Sequence, residues 1–176
     1  AMAVMESSDI KHGPVEFLCT VDEETGMTGA MALKPGLLEG DILINLGSET
    51  EGELYVGCAG GIDTCGYFTP KFEEVPAGSK AFQLIVKGLK GGHSGMDIIL
   101  GRANANKVMN ALLLKATEKF NARVADIQGG SLRNAIPRES FVTVTVPENK
   151  AEELVAFVAE FEALVKEQFA AVEPEM

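Results

Sequence analysis

The sequence predicts an α/β slice over residues 1 to about 61, followed over residues 62–176 by part of a ferredoxin-like α+β unit. Three observations predict it. Short, mostly apolar runs set between glycines and acidic residues fill the first third of the chain. Beyond Gly60-Gly61 the pattern changes to alternating segments and longer segments of helical periodicity. Those later segments follow the order strand, helix, strand, strand, helix, which is a split βαβ arrangement without its final strand.

The elements follow from the residues in turn. Ala1 to Ser7 reads as the last turns of a helix already under way. Val15 to Val21 is a short apolar run between Gly13-Pro14 and a group of acids, the pattern of a buried strand. Met27 to Leu33 reads as a short helix stopped by Pro35-Gly36, and Asp41–Leu46 and Glu53–Cys58 read as strands joined by a polar turn through Gly47 and Gly52. In the second part, Ala81 to Leu89 places Phe82, Leu84 and Val86 on one face, with Ile85 the apolar exception on the other. A helix is expected from about Arg102 to Phe120, its stripe formed by Val108, Met109, Leu112, Ala116 and Phe120. Arg123 to Gln128 and Phe141 to Val146 are strands, the second presenting Val142, Val144 and Val146 together. Asn149, with Glu152 three residues on, is the expected cap of a last helix that buries Leu154, Val158, Phe161, Val165 and Phe169. A final strand is expected beyond Met176, and both chain ends read as those of a piece of a larger protein.

Composition narrows the function classes. The 176 residues are 46% hydrophobic and 23% charged, ordinary for a globular chain and unlike a disordered or collagen-like one. Fifteen basic against 26 acidic residues give a net charge of -11, with no basic stripe, so nucleic acid is not an expected partner. There is no apolar run long enough for a membrane span, and no basic segment leading into a long apolar core as in a signal peptide. Three cysteines, Cys19, Cys58 and Cys65, match no metal-knuckle spacing and point to reduced thiols in the cytoplasm.

Three groups of residues are candidates for chemistry. Asp22-Glu23-Glu24 lies where the first expected strand ends, and open α/β sheets place ligands at the carboxyl ends of their strands. Adjacent carboxylates there either divide the work of holding a divalent metal and accepting a proton from water, or form a solvated acidic turn. His93 lies within Gly91-Gly92-His93-Ser94-Gly95, where the glycines permit unusual backbone angles and a close approach to a ligand. Such a histidine can donate to a substrate carboxylate or an oxyanion; a merely polar hairpin loop is the other reading. The loop lacks a Gly-Lys-Ser/Thr ending, which disfavours a nucleotide phosphate. His12 reads as a structural residue at a helix end. Arg133, Asn134 and Arg138 lie in a turn that offers either anion recognition or a plain exposed connection.

Taken together, the motifs resemble one family. His12-Gly13-Pro14-Val15-Glu16 and Thr20-Val21-Asp22-Glu23-Glu24-Thr25-Gly26-Met27-Thr28-Gly29-Ala30 are similar to the aminoacyl-histidine dipeptidases, also called Xaa-His dipeptidases or bacterial carnosinases. The similarity continues through Gly40-Asp41-Ile42-Leu43-Ile44-Asn45, Gly57-Cys58-Ala59-Gly60-Gly61, Lys90-Gly91-Gly92-His93-Ser94-Gly95 and Gly101-Arg102-Ala103-Asn104-Ala105. These are co-catalytic zinc metallopeptidases. The resemblance implies that residues 1–61 are part of a catalytic metallopeptidase domain and 62–176 the first part of a lid and dimerisation domain. It implies hydrolysis of Xaa-His dipeptides such as carnosine by a metal-activated water in a cytoplasmic homodimer formed through the lid. It further implies that Glu23 is the general base, Glu24 a metal ligand and His93 a substrate-binding residue. Two divalent metal ions are implied for the full-length protein, zinc first, with manganese or cobalt as alternatives.

The sequence departs from that family where the expected Asp-Ser-Glu reads Gly47-Ser48-Glu49, which removes a ligand. With one matched ligand, this chain by itself is expected to bind metal weakly or not at all, and to be inactive. The alternatives are a non-catalytic binding or dimerisation module of a degenerate relative, which Gly47 favours, or a related aminoacylase or tripeptidase.

Overall fold

A computed structural model describes residues 2–47, 50–58 and 60–176. The chain forms two compact units, Ala1–Gly60 and Gly61–Met176. Ser48 and Glu49 of the expected metal-site stretch, Ala59 of the Gly57–Gly61 run and Ala1 of the first helix lie outside the described residues.

The first unit contains three short helices, α1 (Met2–Glu6), α2 (Glu23–Gly26) and α3 (Thr28–Met31). Helix α1 ends on Ser7, whose Oγ accepts from the Asp9 and Ile10 N–H groups at 3.1 and 3.2 Å. It therefore stops well before His12, which is not at a helix end; its ring Nδ1 lies 2.7 Å from the Gly13 carbonyl oxygen. Helices α2 and α3 are single turns separated by Met27 in the left-handed region at φ 59°. The helix expected over Met27–Leu33 is thus reduced to Thr28–Met31.

The three strands expected at Val15–Val21, Asp41–Leu46 and Glu53–Cys58 do not form among the described residues. The cause is pairing rather than composition. A strand exists only where a neighbour takes its N–H and C=O groups, and an apolar strand of a parallel sheet also needs helices on both faces. Among the described residues no such neighbour or cover is present, and Ile42, Ile44, Leu54 and Val56 are fully or largely exposed. One long-range tie does form: Glu16 accepts from the Glu39 and Gly40 N–H groups at 2.9 and 2.7 Å, holding that stretch to the Val15–Val21 segment.

In the second unit the periodicities produce what they predict. Strand β1 (Ser79–Val86) is followed by a two-residue strand β2 (Gly92–His93), α4 (Ala105–Phe120), β3 (Arg123–Gly129), a second two-residue strand β4 (Ala135–Ile136), β5 (Ser140–Pro147) and α5 (Ala151–Phe169). The main sheet is antiparallel in the order β1-β5-β3, and β2 pairs with β4 in a separate small ribbon. Register sets Leu84 opposite Val142 and Phe82 opposite Val144, while a bulge between Val124 and Asp126 bends β3. Because β5 has a neighbour on each side, it is the most buried strand, and even Thr145 on its more polar face is 9% exposed.

Helices α4 and α5 cover the apolar face. Met109, Leu112 and Ala116 of α4 and Leu154 of α5 join Leu84, Val142, Val144 and Val146 in one core. Phe120 and Phe157 meet at 5.3 Å between ring centroids, a tilted pair that fastens the two helices together. Helix α4 begins at Ala105 rather than near Arg102, because the Asn104 side chain accepts from the Lys107 N–H at 3.1 Å and caps the first turn. The cap expected from Asn149 does not form. The chain leaves Pro147 through a 3-10 turn at Glu148–Lys150, so Asn149 lies within helical backbone and not at the extended position a capping side chain requires.

Candidate functional site

The acidic turn divides its carboxylates between two kinds of work. Asp22 is held at φ 61°, and its two oxygens accept from the Thr25 and Thr28 hydroxyls. It closes the turn. Among the described residues, the Glu23 and Glu24 carboxylates accept no hydrogen bond and form no ion pair, and both are exposed in the first turn of α2. Among the described residues they are the two acids of the three without a side-chain partner.

Gly47 brings no donor to this region. Its N–H donates to the Asn45 side-chain oxygen at 2.8 Å, and a Cβ built there would meet only the Asn45 side chain, its oxygen at 3.0 Å. Its φ is not left-handed, so an aspartate fits with a small movement of Asn45. The residues present do not by themselves fit a two-metal centre. Glu24 offers one carboxylate, and no three His, Cys, Asp or Glu side chains come together as a metal site among the described residues.

The glycine-histidine loop in the second unit is firmly built. Gly91 and Gly92 have φ of 65° and 140°, and a Cβ would collide with the Arg138 side chain at Gly91 and with Asp97 and Arg102 at Gly92. Arg102 donates to the Gly91 carbonyl at 2.6 Å and lies 3.5 Å from the Asp97 carboxylate. Asp97 in turn accepts from the His93 N–H at 2.8 Å, and Ser94 donates its N–H to the Asn134 carbonyl at 2.8 Å.

The imidazole of His93 is oriented by its own loop. Its Nδ1 accepts from the Gly95 and Met96 N–H groups at 3.0 and 3.2 Å. A ring nitrogen that accepts two N–H groups carries no proton, so in the neutral ring the proton is on Nε2. The side chain is exposed and presents Nε2–H as a donor.

An open cavity of about 750 Å3 adjoins the loop, with Ser94, Arg102, Asn106, Lys107 and Arg133 among its lining residues. His93 itself is not part of that lining. Arg133, considered for anion recognition, pairs with Asp63, and Asn134 contributes its carbonyl rather than its side chain. Asp97 and Arg102 were given no site role from the sequence, although their spacing from His93 offered a local signal. Glu173, buried and bonded to the backbone on both sides of this loop, had none, because its partners are distant in sequence.

The sheet, its two helices and the clamped loop lie almost entirely within residues 84–173, which match the peptidase dimerisation domain; the chain belongs to that family. It is 46% identical over 170 residues, 97% of its length, to the cytosol non-specific dipeptidase of Escherichia coli (strain K12). Among solved structures it is similar to the aminoacylhistidine dipeptidase of Vibrio alginolyticus, at 44% identity and a TM-score of 0.72 over 98% of the chain. It spans 35% of the length of each of these two proteins.

Proposed function

We propose that the chain is part of a metal-dependent dipeptidase that hydrolyses Xaa-His dipeptides. Residues 1–61 belong in this reading to the catalytic domain and 62–176 to the first part of a lid through which two copies of the full-length protein pair. Identity of 46% to a protein named a cytosol non-specific dipeptidase, maintained over 97% of the chain, is the observation that carries the reading, and it also supports a cytoplasmic location. Zinc is the proposed metal, with manganese or cobalt as the other candidates, and it depends on donors beyond those in this chain.

The roles proposed for this chain's residues are those the family resemblance implies, and their exposure and hydrogen bonding support them. Glu23, with no competing partner among the described residues, takes a proton from the attacking water and returns it to the leaving amine. Glu24 would contribute one carboxylate to a metal site completed by donors outside this chain. His93 is read as a substrate-binding residue whose Nε2–H would be offered to a substrate carboxylate or to an oxygen where negative charge develops. The second reading, a non-catalytic dimerisation module, is favoured by Gly47, which has no side chain to coordinate with.

Hydrolysis of β-alanyl-histidine by the full-length protein decides between them. Turnover with added zinc or manganese that is abolished by chelator is the expected result. If only Gly47→Asp turns over, the site is disabled at one ligand. If neither form turns over, the non-catalytic reading holds.

A further inference from the structure

We propose that Glu173 is a positioning residue for His93, an inference that rests on the reading of His93 as a substrate-facing donor. Glu173 is the one charged side chain that is fully buried among the described residues, at 3% exposure. It lies just past α5, where its N–H donates to the Phe169 carbonyl at 2.8 Å. Its Oε2 accepts from the Lys90 N–H at 2.8 Å and its Oε1 from the Ala103 N–H at 3.0 Å. Those two donors flank the segment 91–102, which carries His93. One carboxylate therefore closes the base of the whole loop.

The chemistry of the clamp is specific. Among the described residues no cation pairs with Glu173, so the two N–H groups are what offset the desolvation of its charge. Here each carboxylate oxygen takes one of the two donors. An amide of the same shape would turn its NH2 group toward one of them. A clamp that merely filled space would be met as well by an apolar side chain, without burying a charge.

From the base, order passes inward through contacts already described. Arg102, directly before Ala103, holds the Gly91 carbonyl and faces Asp97. Asp97 holds the His93 N–H, and the loop backbone then caps Nδ1. If Lys90 and Ala103 separate, the Gly95 and Met96 donors lose their alignment with the ring, and Nε2–H ceases to be the fixed tautomer.

The test uses 15N-histidine labelling of the full-length protein, with the His93 signals assigned by their loss in His93→Asn. In the unaltered protein His93 is expected to show an unprotonated Nδ1 and a protonated Nε2. In Glu173→Gln its two ring 15N shifts should move toward each other as the tautomers mix, while His12 stays unchanged as the internal reference. In the full-length enzyme the same substitution should lower kcat roughly 10- to 100-fold with little change in KM. Unchanged His93 shifts, with faster hydrogen exchange at Lys90 and Ala103, would reduce Glu173 to a structural role and overturn the proposal. Should Glu173→Gln fail to fold, Glu173→Asp keeps the charge but is too short to bridge both donors, and the same shifts decide. Absence of dipeptidase turnover in the unaltered full-length protein counts against the proposed function alone, because the tautomer measurement does not depend on turnover.

Discussion

Glu23→Gln in the full-length protein is expected to lower kcat by roughly 10²–10⁴-fold, the usual contribution of a positioned proton acceptor. The substitution keeps the size and shape of the side chain and removes its capacity to take a proton. Its structural effect should be small, because Glu23 is exposed and the turn is closed by Asp22 with Thr25 and Thr28. KM for β-alanyl-histidine is expected to stay within a few-fold, since Glu23 acts on water and does not hold the dipeptide. Steady-state rates of histidine release, with circular dichroism as a check on folding, give the answer. A kcat within threefold of the unaltered enzyme would remove Glu23 from the role of general base.

The largest effect on stability is expected at Leu154. It is 1% exposed in α5 and belongs to the core shared by both helices and the sheet. Leu154→Ala removes three carbons from a site enclosed by elements that cannot all close in, so a loss of about 2–5 kcal/mol follows. Leu164 provides the contrast. It lies on the same helix but is 64% exposed, and Leu164→Ala should change stability by about 0.5 kcal/mol or less. Urea unfolding of the two variants, compared by midpoint at constant slope, measures the difference. Equal midpoints would mean that α5 is not seated on the sheet through Leu154.

The second unit was the more legible because its elements satisfy one another. Alternation in β1 and β5 and the α4 stripe at Met109, Leu112 and Ala116 each specify a face, and those faces meet in one core. The first unit was misread over Val15–Val21, Asp41–Leu46 and Glu53–Cys58 for a physical reason. An apolar run states that it wants to be buried, but not whether a neighbour is available to bury it. The Asn149 cap failed for a smaller cause of the same kind: the pattern was right, but the turn after Pro147 occupied the capping position.

The candidate site divides in the same way. His93 was visible because glycines surround it, and Glu23 because it stands beside two other acids. That Asp22 would be engaged by Thr25 and Thr28, leaving Glu23 and Glu24 free, depends on a left-handed residue that no propensity announces. Glu173 was invisible because nothing near it in sequence distinguishes it from the exposed acids of α5. Its meaning lies in the backbone of Lys90 and Ala103.

The strand order carries a consequence for how the second unit assembles. Strand β3 meets β5 across a short connection that brings Gly129 opposite Ser140, whereas the same Ser140 is also opposite Val86 from far earlier in the chain. Closing the longer loop costs more chain entropy before any contact rewards it. The β3–β5 hairpin with α4 and α5 is therefore expected to form the nucleus, with β1 docking late onto the open side of β5. The loop that carries His93 connects β1 to α4, so it is expected to gain its shape only at that last step. Transition-state φ-values near zero for Leu84 beside higher ones for Val144 are the kinetic signature of that order.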